Sequence, residues 1–339
     1  MRILVTGGTG YIGAHTVVEL ITAGHEVSVV DNLANSSSDV LDSIEQVAGT
    51  KPHFREASIQ DTETISCILH DEDIEAIIHF AAFKAVGESV VHPLKYYENN
   101  VNGFLSLLQT ACAAGVSNVV FSSTAAVYGN PPQSAATEET ICNPENPYGW
   151  SKRMDEIILR DLCTADHSFK GTALRYFNVV GAHPSGLLGE SPKTKPQNIL
   201  PIIVQATAGQ LPPLTVFGTD YPTPDGTCLR DYIHVVDLAK AHVAALDHRE
   251  GHKPGYEVFN VGTGSPTSVL ELIKTFEDVN GVSVPYTLGA RRAGDPINYY
   301  AVCDRAQRIL HWQAEKTIED AVGDAWRWHQ HLTSMVQQA

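Results

Sequence analysis

A phenol and an ammonium stand four residues apart at Tyr148 and Lys152, a spacing that puts both side chains on one face of a helix. An aromatic packed beside a solvated lysine is common on any helix, so the weight of the pair depends on its surroundings. Just upstream, the apolar run Val119-Val120-Phe121 ends in Ser122-Ser123-Thr124. The first thirty-one residues read as strand, glycine turn, helix, strand and acid. Ile3-Leu4-Val5 breaks into Thr6-Gly7-Gly8-Thr9-Gly10-Tyr11-Ile12-Gly13, a helical pattern follows (Val17, Leu20, Ile21), Gly24 stops it, and a second apolar run from Val27 to Val30 leads to Asp31. Glycines at 7, 10 and 13 let the backbone approach a pyrophosphate, whose charge the free amides of the helix N-terminus receive. Asp31 can hydrogen-bond both ribose hydroxyls of an adenosine and would repel a 2′-phosphate, which favours NAD over NADP. Glycines alone make only a tight turn; strand, helix and acid in the right order make a dinucleotide site.

These groups must be positioned by the elements that carry them. Phe54 lies in a third strand, a helix follows at 61–69, and 76–80 is a buried strand ending in Ala81-Ala82-Phe83-Lys84. From 93 to 114 apolar residues fall at helical spacing (Leu94, Tyr97, Val101, Phe104, Leu108, Ala111). A helix opens near Tyr148 and runs to about Cys163, and 173–177 is a further strand. This alternation predicts an α/β fold with a doubly wound parallel Rossmann sheet. Past Asn178 the texture turns to irregular Gly, Pro, Thr and Asp, with one helical patch at 199–208 and a short strand at 215–217. The alternating pattern returns with a helix at 237–246 and a strand at 256–261, and helices at 269–279 and 318–329 close the chain. We expect an NAD-binding domain of residues 1–177 plus 231–261 and a smaller mixed domain of 178–230 plus 262–339. Ligands of such sheets sit at the carboxyl ends of the strands, which gives weight to Lys84, Ser122, Thr124, Asn178 and the helix start at Tyr148.

Bulk properties remove several classes of function. The 339 residues carry a formal net charge of -16 and no Lys/Arg run, so binding to nucleic acid or an anionic membrane through bulk electrostatics is not expected. An anionic ligand must be held by a few local cations. Six scattered cysteines with no C-x-x-C pair read as small buried hydrophobes of a reducing compartment, and no metal site is expected. The N-terminal apolar run is only a strand long and no apolar stretch approaches a membrane span, so the expected location is the cytoplasm.

The glycine spacing, the Ser-Ser-Thr strand end and Tyr148-x-x-x-Lys152 resemble the extended short-chain dehydrogenase/reductase superfamily. In that superfamily the tyrosine is the acid/base, and the lysine holds the nicotinamide ribose while lowering the tyrosine's pKa. A free tyrosine titrates near 10, so ionisation near neutrality needs roughly 4 kcal/mol. One ammonium about 6 Å away, at an effective dielectric near 20, supplies roughly 3 kcal/mol before its own desolvation. The positive nicotinamide ring of NAD+ can supply the remainder. Thr124 would place its hydroxyl between Tyr148 and the substrate oxygen.

A narrower resemblance, running from Arg2 to about Trp328, is to the UDP-glucose 4-epimerase family. It rests on Lys84-Ala85-Val86-Gly87-Glu88-Ser89, Tyr96-Tyr97-Glu98-Asn99-Asn100, Arg175-Tyr176-Phe177-Asn178, Gly181-Ala182-His183-Pro184-Ser185-Gly186, Arg230-Asp231-Tyr232-Ile233-His234 and Arg291-Arg292-Ala293-Gly294-Asp295. The resemblance implies NAD held by Gly7, Gly10, Tyr11, Ile12, Gly13, Asp31, Asn32, Asn35, Ser36, Ser58, Ile59, Phe80, Ala81, Ala82, Lys84, Asn99, Ser122, Tyr148, Lys152 and Tyr176. It implies UDP-glucose or UDP-galactose held by Lys84, Thr124, Tyr148, Phe177, Asn178, Asn198, Ile199, Thr215, Phe217, Arg230, Tyr232, Arg292 and Asp295. Arg230 and Arg292 also fit independently, because an acidic chain needs local guanidinium groups to hold a diphosphate. Tyr299 is implied to border the hexose and to exclude a 2-N-acetyl group; the bland alternative is that it is a packed strand aromatic, with Tyr300 facing the sugar. Ser58 replaces an expected aspartate, Ala82 a glycine and Val179 a proline. The implied reaction is redox without net oxidation: carbon 4 is oxidised to a ketone and reduced from its other face, with NAD retained. A homodimer pairing helices around 94–112 and 157–163 is expected from the family and from their apolar residues. The rivals are an epimerase that accepts N-acetylhexosamines, a nucleotide-sugar 4,6-dehydratase, a reductase and a non-enzymatic NAD-binding regulator. Ala125-Ala126 stand where the dehydratase has Asp-Glu, and intact Thr124, Tyr148 and Lys152 weigh against the regulator.

Overall fold

The computed structural model describes residues 1–339 apart from 132, 194, 252, 293–295 and 339, and apart from the side chains of 335–338. Its centre is a sheet of seven parallel strands in the spatial order His53–Glu56, Glu26–Asp31, Arg2–Thr6, Ala76–His79, Asn118–Thr124, Lys170–Tyr176 and Gly255–Val261. The chain starts in the middle, winds outward to His53–Glu56, and returns to wind the other way. The direction reverses between Arg2–Thr6 and Ala76–His79, and a crevice opens at the carboxyl ends of those two strands.

Helices cover both faces, so the central strands are apolar on both sides. Ile3 and Val5 point to one face, into a core with Val17, Leu20, Leu238 and Phe259; Leu4 points to the other, into a core with Ile77, Phe104, Val119 and Leu159. The first face belongs to the helices Tyr11–Thr22 and Val235–Arg249, the second to Thr62–Asp71, Gly103–Ala113 and Pro147–Ala165.

One expected element differs. The apolar spacing from 93 to 114 predicts one regular helix, whereas the chain forms Pro93–Tyr96, a π-helical segment Tyr97–Asn102, and only then the α-helix Gly103–Ala113. The wider turns reset which side faces inward: Tyr96, Asn100, Phe104 and Leu108 are buried, while Leu94 is 80% exposed.

The remaining strands form smaller sheets. Leu229–His234 pairs in parallel with Asn178–Val180 and Asn298–Ala301 and antiparallel with Pro266–Ser268; Asn298–Ala301 also pairs with Ala135–Ala136. Leu214–Phe217 pairs in parallel with Tyr286–Gly289. A third core, with Leu200, Ile203, Tyr232, Leu272, Phe276 and Val322, joins this sheet to the helices Ile199–Thr207, Val269–Asn280 and Ile318–Gln338. The strand Gly255–Val261 returns to the large sheet, but Leu229–His234 does not.

Candidate active site

The glycine turn forms because side chains would not fit it. Gly7 adopts φ +71°, and a Cβ there would stand 2.7 Å from the amide nitrogen of Ala81; one on Gly13 would stand 2.2 Å from the Gly7 carbonyl oxygen. Thr6, Gly7, Phe80 and Ala81 thereby meet at the crevice. No side chain caps the N-terminus of Tyr11–Thr22, and its first turn holds no acid, so its amides are open to an anion. Asp31 accepts from the amides of Leu33 at 2.9 Å and Thr9 at 3.3 Å and from the Ser36 hydroxyl at 3.3 Å. This fixes the carboxylate at the strand end beside the turn. Tyr11 donates to the Gly181 carbonyl at 2.6 Å.

Tyr148 and Lys152 lie in the first turns of Pro147–Ala165. The start of that helix is legible in sequence: Asn146 caps it by accepting from the Gly149 amide at 2.9 Å, and Pro147 follows at the first helical position. Lys152 is buried, donates to the Ser122 carbonyl at 2.9 Å, and lies 4.7 Å from the centre of the Phe121 ring. The Thr124 hydroxyl stands near enough to the Tyr148 phenol to favour its ionised form. Tyr176 pairs with Thr124 across the sheet and bonds to the Ser122 hydroxyl. Five expected residues thus meet at the ends of two adjacent strands.

The electrostatics differ in one respect from the expectation. Burial raises the Tyr148 phenol above its ordinary value, and the Thr124 hydroxyl pulls only partly against it. Lys152 spends its ammonium on Ser122 and the Phe121 ring, and burial lowers it to about 8. The chain alone therefore keeps Tyr148 protonated at neutral pH. A fall of the phenol's pKa into the neutral range needs a bound positive charge in addition to Lys152.

The partners of the second sheet are more dispersed. Tyr299 packs inward, its ring 5.0 Å from Phe177 and its hydroxyl donating to the Ala125 carbonyl at 2.9 Å, directly after Thr124. Asn178 and Tyr232 are paired neighbours on adjacent strands. Arg230 donates to the carbonyls of Leu229 at 2.8 Å and Pro296 at 2.7 Å, and Arg292 lies 5.7 Å from the Phe217 ring. Thr215 and Phe217 share the strand Leu214–Phe217. Lys84 is 2.9 Å from Glu190, whose carboxylate also accepts from Asn198 at 3.2 Å. No described contact carries Arg230 or Arg292 to Tyr148. Asp295 lies outside the described residues.

Several site residues escaped the sequence reading. Asn100, fully buried on the π-helical segment, donates to the Phe83 carbonyl and to Ser151 at 3.0 Å each and accepts from the Phe83 amide at 2.9 Å. Ser151 in turn donates to the Tyr148 carbonyl at 2.8 Å. The loop after Ala76–His79 is thereby tied to the catalytic helix. His79 accepts or donates at Nδ1 with Thr6 at 2.7 Å, and burial holds it neutral across from Lys152. Behind the site, Glu156 takes both ends of the Arg175 guanidinium at 2.8 and 2.7 Å, with Ser123 at 2.6 Å and Arg153 at 2.8 Å. A lone polar letter inside an apolar run was the available signal for His79; Asn100, among Glu98, Asn99 and Asn102, had none. Nothing local marks Glu156 and Arg175 as partners.

All six cysteines are free thiols. Among the described residues no group of three or more His, Cys, Asp or Glu could hold a metal ion, and no helix is long and apolar enough to cross a membrane.

Comparison with known proteins matches residues 3–262 to the NAD dependent epimerase/dehydratase family. The chain is 49% identical over 328 residues to the UDP-glucose 4-epimerase of Bacillus subtilis (strain 168), covering 97% of this chain and 96% of that one. It superposes with a TM-score of 0.96, at 44% identity and 99% coverage of both chains, on the UDP-glucose-4-epimerase of Stenotrophomonas maltophila with bound NAD and formylated UDP-arabinopyranose. It superposes with a TM-score of 0.93, at 45% identity and 98% coverage of both, on the Bifidobacterium longum UDP-glucose 4-epimerase in complex with NAD+ and UDP.

Proposed function

The chain belongs to the NAD dependent epimerase/dehydratase family, and from that premise we propose that it interconverts UDP-glucose and UDP-galactose by inverting carbon 4 of the sugar. The observation that carries this reading is the meeting of Thr124, Tyr148 and Lys152 at the strand ends beside an uncapped glycine turn. The turn and Asp31 fit a dinucleotide: Gly7, Gly10 and Gly13 leave room for a pyrophosphate, Tyr11–Thr22 turns open amides to it, and Asp31 takes the adenosine ribose. When bound, NAD supplies reversible two-electron oxidation at carbon 4, so that a 4-keto sugar forms and is reduced again.

The chain's own groups do the rest. Tyr148 takes the proton from the hydroxyl on carbon 4 and returns it, with Thr124 bridging phenol and sugar oxygen. Lys152 holds the nicotinamide ribose and contributes positive charge near the phenol. Asn178, Asn198, Arg230 and Arg292 of residues 178–230 and 262–339 hold the UDP handle, together with Tyr232 of the 231–261 segment. Binding energy at that remote handle keeps the substrate in place while the hexose turns its other face. A 4,6-dehydratase would need an acid after Thr124, where Ala125 and Ala126 stand. Pure protein incubated with UDP-galactose should yield UDP-glucose and should copurify with NAD. A 4-keto-6-deoxy product, or none, would end this reading.

Tyr299 sets the size of the sugar. Its ring is fixed by Phe177 and its hydroxyl by Ala125, on the side of the strand next to Thr124. Wild-type turnover of UDP-N-acetylglucosamine should be small, and Tyr299→Cys should open it while largely sparing UDP-glucose. Comparable wild-type turnover of both sugars, or opening by Tyr300→Cys instead, would remove Tyr299 from this role.

The active protein is a homodimer. Leu94, Leu105, Trp150 and Met154 are exposed on neighbouring helices, one of which carries Tyr148 and Lys152, an apolar face suited to a second copy. Light scattering at micromolar concentration should give twice the chain mass; a monomer would refute the pairing.

A further inference from the structure

The buried side of Pro147–Ala165 carries an acid, Asp155, that neither the proposed reaction nor the Glu156–Arg175 pair uses. Asp155 is 1% exposed, and among the described residues neither of its carboxylate oxygens has a hydrogen-bond partner. Buried polar atoms in folded chains are nearly all satisfied, so an orphaned carboxylate calls for a reason other than stability. Its place supplies one. Asp155 follows Lys152 by three residues, and both are buried on the same face of the helix, where such neighbours have Cβ atoms about 5–6 Å apart. It also lies one turn beyond Ser151, which holds the Tyr148 carbonyl.

We propose that Asp155 is a positioning residue for the reaction: from one turn away it holds Lys152 in its ammonium form and keeps the site charged as the solution turns alkaline. This rests on the epimerase reading of the site. Burial works against the Lys152 charge, while Asp155 and Glu156 work for it. Burial likewise drives the Asp155 carboxyl well above the usual range, with Lys152 pulling it down and Glu156 pushing it up. The other charged groups on the elements packed around this helix have partners or stand apart. Arg175 and Arg153 grip Glu156, Lys95 grips Glu88, Glu98 is exposed, and His79 across Lys152 is held neutral. The phenols of Tyr96, Tyr128 and Tyr256 are all raised by burial and stay uncharged. Lys152 and Asp155 therefore titrate as a coupled pair, in which loss of the Asp155 proton opposes loss of the Lys152 proton.

The linkage has a definite sign. A carboxyl raised on folding leaves stability intact below its ordinary range, near pH 4, and lowers it as pH climbs through the raised value. Asp155→Asn and Asp155→Leu both remove the charge, one keeping the shape and one filling the site with apolar atoms. In both, the alkaline limb of kcat and of kcat/KM with UDP-galactose should move down by about one pH unit. Turnover at neutral pH should stay within about twofold of wild type. Their gain in Tm over wild type should grow as pH rises from about 4. Independently of activity, the infrared carbonyl band of protonated Asp155, identified by its loss in Asp155→Asn, should titrate at higher pH in a Lys152→Met background. An unmoved alkaline limb would overturn the proposal even if the variants melt higher, because Asp155 would then be only a structural cost. So would a band that titrates in the ordinary carboxylate range or ignores Lys152→Met. A wild type that does not epimerise would sink the functional reading, while the infrared titration would still decide whether Asp155 and Lys152 are coupled.

Discussion

Tyr148→Phe should bind UDP and NAD as the wild type does and turn over at least about a hundredfold more slowly, the usual scale for a lost general acid/base. The ring keeps its packing at the start of Pro147–Ala165, so the variant tests the proton alone. Lys152→Met should also slow turnover, and it should move the acid limb of the pH profile upward. Burial already raises the phenol, and by general electrostatics the loss of a positive charge from its neighbourhood raises it further. Steady-state rates with UDP-galactose and calorimetric binding of UDP check both variants. Near-normal turnover of Tyr148→Phe would remove Tyr148 from the reaction; an unchanged profile in Lys152→Met would leave the lysine only its ribose.

Glu156→Ala is expected to have the largest effect on stability, about 3–5 kcal/mol, because it strands a buried guanidinium. The side chains of Glu156 and Arg175 are 0% and 4% exposed, and the pair is bidentate. Burial alone would raise the Glu156 carboxyl, but Arg175, Ser123 and Arg153 together hold it below the usual range. Its contribution is therefore present above the ordinary carboxylate range, near pH 4, and lost as pH falls through the lowered value. Glu156→Leu with Arg175→Met should recover most of the loss, since two apolar side chains leave no charge behind. Urea unfolding of the three proteins at neutral pH and near pH 4 measures this. A single-variant loss within about 1 kcal/mol would mean that Arg175 finds other partners.

What the sequence made legible was local. The glycine turn, Asp31 and the Asn146-Pro147 helix start are each set by neighbours within a few residues, and the alternating pattern follows from strands buried on both faces. Family resemblance then pointed to residues whose closeness no spacing reveals, such as Ser122 with Tyr176. Polar groups inside the core stayed hidden. Glu156 and Arg175 lie nineteen residues apart on a helix and a strand, and only the register of the sheet brings them together. The short strands Leu229–His234 and Asn298–Ala301 have partners far along the chain, and their Gly/Pro-rich flanks leave no periodicity to read. The Lys152–Ser122 contact is not legible for a related reason: where an ammonium points depends on a carbonyl thirty residues away.

The π-helical segment Tyr97–Asn102 has a consequence for how this chain can vary in length. Removing one residue from it would restore ordinary α-helical winding and, by backbone energetics alone, give a more regular helix. It would also rotate every preceding side chain by about 100° relative to Gly103–Ala113. Asn100 could not then face Phe83 and Ser151 while Phe104 stayed in the core. Most helices forgive a deletion at a solvent-facing turn; here the shortened gene would encode a smoother rod and an unmoored tyrosine.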